Sequence, residues 1–174
     1  MSRGVVADTS ALLTLELVDL LDRIAFVDLA TVGRVVSELE DLAGFDDEEA
    51  AAAERVLSRI DGGGIEVFSI QATETMEALV SNRVQPAEAA CLQACRESKA
   101  EVLVTDDARA IAGLRDEAMA HGIRLRISVA VIVESRKRGE LSTTQARRLV
   151  DEIIEARGWE GGVLEVLARR HLDR

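Results

Sequence analysis

Short, wholly apolar segments that stop at an acidic residue recur along this chain, and helical patterns follow them. Val5, Val6 and Ala7 run into Asp8; Val102, Leu103 and Val104 run, past Thr105, into Asp106 and Asp107. An apolar run too short for a helix reads as a strand buried on both faces, and such strands alternating with helices build a parallel sheet with helices on both sides. Strands are expected over residues 5–7, 25–29, 65–70, 102–104 and 123–127. A first helix, capped by Thr9 or Ser10, carries Leu12, Leu13, Leu17, Leu20, Leu21 and Ile24 at helical spacing. A second, capped by Thr31, carries Val35, Val36 and Leu39. Asp46 to Glu49 open a third that stops at Asp61-Gly62-Gly63-Gly64. Further helices are expected over 73–80, from Pro86 onward, and over 108–120, 129–138, 143–156 and 161–170, with Gly139 and Gly158 at the breaks.

This order predicts an α/β fold, a three-layer α/β/α sandwich around a five-stranded parallel sheet. The 174 residues, without a repeat or a long linker, suit one domain: a core over about 4–138 and a C-terminal helical extension over 139–174 packed on it. With three Phe, one Trp and no Tyr, the core is aliphatic, and aromatic stacking is a poor means of holding a base. No apolar run is long enough to span a membrane, and the N-terminus has no signal-peptide core. Cys91 and Cys95 lack zinc spacing and suit buried thiols, so a cytoplasmic location is expected.

The formal charge is −11, and it is uneven. Residues 1–122 hold 24 acids and 10 bases, while residues 123–174 hold 8 acids and 11 bases. A polyanionic partner should prefer the C-terminal part. Arg136, Lys137 and Arg138, with Arg147 and Arg148, can form a strip along a nucleic-acid backbone, though a solvated surface accounts for them more readily, and Arg109 can reach a phosphate or equally make a surface ion pair.

In open parallel sheets ligands bind beyond the carboxyl ends of the strands. Neighbouring first and fourth strands would bring Asp8, Asp106 and Asp107 together there, with Glu38 and Glu88 joining from helices. Several carboxylates in one pocket repel unless some protonate or a divalent cation neutralises them. Oxygen ligands without histidine or thiolate suit Mg²⁺ or Mn²⁺ rather than zinc. Aspartate is also a common helix N-cap, so Asp8 and either Asp106 or Asp107 can serve as caps alone. The residues by themselves leave both readings open.

Taken together, VVADTSALL, VVSELE, PAEAACLQA and EVLVTDDARA resemble the PIN domain, the fold shared by VapC-type toxins and other metal-dependent ribonucleases, over about residues 4–138. The resemblance implies a Mg²⁺ or Mn²⁺ site and endonucleolytic cleavage of RNA. It assigns catalytic acids to Asp8, Glu38 (Glu40 in the alternative register), Glu88 and Asp107, with Asp106 in the variable position of the Thr-x-Asp signature. Asp8, Glu88, Asp106 and Asp107 would serve the metal, Glu38 would position or deprotonate the attacking water, and Thr9 or Ser10 would support the site. RNA, an antitoxin protein and a second copy of the chain are the partners it implies. A non-catalytic PIN-like module binding RNA or protein is the alternative. A phosphoryl-transfer receiver domain fits poorly, because Gln71 follows the third strand where an Asp is needed and Ser128 follows the fifth where a Lys is needed.

Overall fold

The computed structural model describes residues 4–24 and 27–174. Five strands, β1 (Gly4–Ala7), β2 (Asp28–Val32), β3 (Glu66–Phe68), β4 (Val102–Val104) and β5 (Arg124–Arg126), form one sheet in the order β3-β2-β1-β4-β5. Every pairing is parallel. The chain builds outward from β1 to β3, then crosses back to place β4 on the other side of β1. That reversal opens a crevice at the carboxyl edge. Ala7 pairs with Val104 and the Asp8 N–H donates to Val104 O at 3.1 Å, so the residues leaving β1 and β4 start side by side.

Nine helices flank the sheet among the described residues: α1 (Thr9–Leu17), α2 (Gly33–Ala43), α3 (Glu48–Asp61), α4 (Glu74–Leu79), α5 (Pro86–Ser98), α6 (Ala108–Ala120), α7 (Val129–Lys137), α8 (Thr143–Arg157) and α9 (Val163–Leu172). The three-layer architecture expected from the alternation is the one observed. The main core packs aliphatic side chains of the central strands against α1, α2, α3, α5 and α6, and includes Cys91 and Cys95, both free thiols. A second cluster joins Leu15, Val18, Leu20 and Ile24 to α7, α8 and α9. The C-terminal helices thereby share a core with the segment that leaves the first strand. Ile153 and Ile154 are buried in it, with Leu149, Leu164 and Leu167 packed against it, while Val163 and Val166 face solvent.

Two local expectations are corrected. The first helix stops at Leu17, although apolar periodicity continues to Ile24. Asp19 turns left-handed at φ 53°, its N–H reaches Glu16 O, and the Leu20 N–H reaches Leu15 O at 2.9 Å. This is a Schellman stop, and its apolar pair, Leu15 and Leu20, is fully buried. The second strand starts at Asp28 rather than at residue 25; Ala25 and Phe26 lie outside the described residues. Thr31 is consequently a strand residue whose hydroxyl donates to Ala7 O at 2.7 Å, and Val32 precedes α2 without a side-chain cap. No helix among the described residues is long and apolar enough to cross a membrane.

Candidate active site

A cleft of about 180 Å³ opens at the carboxyl edge, and Asp8, Glu38, Glu88 and Asp107 all line it. Three of these acids arrive on helix N-termini, where the positive end of the dipole favours a carboxylate. Asp8, rather than Thr9 or Ser10, caps α1, accepting from the Ala11 N–H at 2.9 Å. Asp107 caps α6, accepting from the Arg109 and Ala110 N–H groups at 2.7 and 3.3 Å. Glu88 forms the return half of a capping box on α5: it accepts from the Gln85 N–H at 2.7 Å, while Pro86 occupies the first turn. Glu38 comes from the middle of α2 and accepts a hydrogen bond from the Thr9 hydroxyl. Glu40, its alternative in register, is exposed and does not line the cleft.

Hydroxyls tie these groups together. Ser10 Oγ donates to Asp8 Oδ1 at 2.8 Å and accepts from the Asp106 N–H at 3.0 Å. Thr105 Oγ1 donates to Asp8 Oδ2 and accepts from the Asp107 N–H at 3.2 Å. Thr105 is fully buried and joins the two aspartates. Sequence reading included it only as the Thr of the Thr-x-Asp signature and gave it no role; a hydroxyl directly between an apolar strand and a pair of acids was the available signal.

Burial pushes the Asp8 carboxyl up to about 6, against hydrogen bonds from Thr105, Ala11 and Ser10 that favour its ionised form. Burial likewise pushes Glu88 up to about 7, and the charges of Asp8, Asp107 and Glu38 add to the rise. The cleft is thus short of positive charge. The donor set is oxygen only, and Glu38 Oε1, Glu88 Oε1 and Asp107 Oδ2 accept no hydrogen bond among the described residues. Those features fit a hard divalent cation. As placed, no three such side chains among the described residues converge closely enough to bind one ion directly. The fit is therefore one of donor chemistry, with part of the coordination left to water.

Asp106 is not brought into the cleft. Its Oδ1 accepts from the Ser128 N–H at 2.8 Å, pinning the end of β4 to the start of α7, and its Oδ2 has no partner among the described residues. Burial raises its pKa. Arg109 is exposed and does not line the cleft. Arg136, Lys137 and Arg138 close α7, whose first residue follows the carboxyl edge, so they lie about 12 Å down the helix from it. Arg136 donates to Leu172 O at 2.7 Å, and Arg138 pairs with Glu134 at 3.0 Å. Among the described residues the cleft's one cation is Arg157, from the last turn of α8, paired with Glu49 of α3 at 2.8 Å. No local sequence signal marked either residue, because their meeting depends on how α8 packs.

No curated protein matches the chain at a significant level. The profile of the PIN domain family matches residues 4–163. Such a match runs from β1 through all five strands to the start of α9, and so takes in every acid of the cleft together with α8. By that extent the chain belongs to the PIN domain family, whose fold is that of nucleases and whose members typically use divalent metal ions.

Proposed function

We propose that the protein is a Mg²⁺- or Mn²⁺-dependent endoribonuclease that hydrolyses phosphodiester bonds in RNA. The supporting observation is that four acids from distant points of the chain line one cleft, two of them with raised pKa values caused first by burial. Asp8, Glu88 and Asp107 would hold the ion, which when bound lowers the pKa of water and neutralises phosphate charge. Thr105 and Ser10 fix the Asp8 carboxylate, so its direction is set before substrate arrives. Glu38, oriented by the Thr9 hydroxyl, accepts the proton of the attacking water as the new phosphorus–oxygen bond forms and the bond to the leaving oxygen breaks.

Asp8→Asn and Asp107→Asn test this directly. Asparagine caps helices as well as aspartate does, so both variants should fold. Each is expected to abolish Mn²⁺-dependent cleavage of single-stranded RNA. Unchanged cleavage in both would sink the proposal.

One observation favours a second reading, a PIN-fold module that binds RNA or protein without cleaving. No three acids converge closely enough among the described residues to bind one ion directly. Calorimetric titration with Mn²⁺ separates the two: absence of binding near millimolar concentrations supports the module.

A further inference from the structure

Arg157 is an odd residue for an acidic cleft to contain. Its neighbours along the lining include Asp8, Glu38, Glu49, Glu88 and Asp107. Its position is not left to chance. The α8 helix ends immediately after it in a Schellman stop: Gly158 is left-handed at φ 63°, the Gly158 N–H reaches Glu155 O, and the Trp159 N–H reaches Ile154 O at 2.9 Å. Trp159 and Ile154 are both buried, which anchors the last turn and aims Arg157 inward with its side chain only 19% exposed. A guanidinium carries five N–H donors in a planar fork. Among the described residues Arg157 uses one, from Nη1 to Glu49 Oε1. Glu49 itself sits in the first turn of α3 with its side chain 43% exposed. A single contact to a half-exposed carboxylate leaves most of the fork available to a better acceptor, and a phosphate matches it with two oxygens.

On the reading of the cleft as a ribonuclease site, we propose that Arg157 binds a backbone phosphate of the RNA, and that Glu49 competes with that phosphate for the guanidinium. Arg157 is a substrate-binding residue here, and Glu49 holds it between turnovers. RNA entering the cleft exchanges one carboxylate for one phosphate on the same donor group, with the net charge on Arg157 unchanged.

Two variants break the same ion pair and separate this from a purely structural role. Arg157→Ala removes the phosphate ligand; Glu49→Gln removes only its competitor. Binding of a fluorescein-labelled single-stranded RNA oligonucleotide is followed by anisotropy, with Ca²⁺ present to neutralise the carboxylates and RNA integrity checked on a gel. Single-turnover cleavage in Mn²⁺ is measured beside it. Arg157→Ala is expected to weaken binding about tenfold or more and to flatten the slope of log K against log salt by about 0.7. Glu49→Gln is expected to tighten binding, and Arg157→Lys to recover part of the loss. Thermal midpoints should fall alike in Arg157→Ala and Glu49→Gln, since both lose the pair. Affinities that shift in the same direction in these two variants, or not at all, overturn the proposal. Should the wild type bind RNA without cleaving it, the nuclease reading fails while the order of the three affinities still decides the role of Arg157. Wild-type protein that neither binds nor cleaves overturns both.

Discussion

Asp8 holds two positions at once, cap of α1 and wall of the cleft, and Thr105 makes the combination workable. Without Thr105 the buried Asp8 Oδ2 loses its donor and the Asp107 N–H loses its acceptor. Thr105→Val is close in shape and is expected to lower stability by about 1–3 kcal/mol, read by denaturant unfolding. It should also weaken Mn²⁺ binding or activity by about 10–100-fold, the usual effect of removing a group that orients a ligand. A second prediction at this scale concerns pH. Asp8 and Glu88 are raised from their ordinary values of 3.8 and 4.5 to about 6 and about 7. Between about pH 4 and 7 the folded chain therefore keeps protons that the unfolded chain releases. Stability of the metal-free protein falls as pH rises through that window, by something on the order of 1–3 kcal/mol for the buried Asp8 and by less for Glu88, whose charge is partly screened by solvent. Unfolding in EDTA at pH 5 and pH 8 should show greater stability at pH 5, and Mn²⁺ should stabilise more at pH 8 than at pH 5 because it displaces fewer protons there. Equal stability at the two pH values in EDTA would contradict the burial of these acids.

Among the elements, α6 lies tightly against the segment before α5 at Gly113. A Cβ on Gly113 would stand 2.5 Å from Val84 Cγ2 and 3.3 Å from Arg83 Cβ. Val84 is buried. Gly113→Ala gains about 1 kcal/mol of helix propensity, but overpacking costs about 1–3 kcal/mol. A net loss in thermal unfolding is expected, with α6 displaced at the end that carries Asp107. Elements whose ends carry strong local chemistry were legible in the sequence. Pro86 with Glu88 marked the start of α5, Asp107 that of α6, and Gly122 and Gly158 the ends of α6 and α8. The end of α1 was hidden, because a Schellman stop normally advertises itself with glycine and here uses Asp19. The start of β2 was misplaced because Val27 and Leu29 are as apolar as a strand, while the pairing that sets its register lies with β1 and β3. At the cleft, Asp8, Glu88 and Asp107 were legible because each follows a strand or opens a helix, whereas Glu38, inside α2, was picked out by the family resemblance. Asp106 was expected to share the metal with Asp107 only because adjacent residues share a sequence context; the backbone turns their side chains to different partners.

At the scale of the whole molecule, the C-terminal helices are part of what holds the first strand–helix unit in place. Leu15, Leu20 and Ile24 bury against α7, α8 and α9, and each such side chain contributes roughly 1.5–3 kcal/mol when removed from water. A chain cut after Arg138 exposes that face. Against a typical net stability of about 5–15 kcal/mol, it is expected to lose its cooperative unfolding transition by circular dichroism. A truncated chain that unfolds like the full one would show that the second cluster is dispensable. The same packing brings Arg157 from a C-terminal segment richer in bases than acids into a cleft built from the acidic part of the chain. The central claim is that this cleft works as one divalent-ion-dependent site. Its most direct test is the initial rate of cleavage of a single-stranded RNA across Mn²⁺ concentrations, wild type beside Glu88→Gln. Cleavage that is absent in EDTA, saturates with Mn²⁺ in the wild type and is lost in Glu88→Gln is the predicted result; equal rates in the two proteins, or a rate indifferent to Mn²⁺, would contradict it.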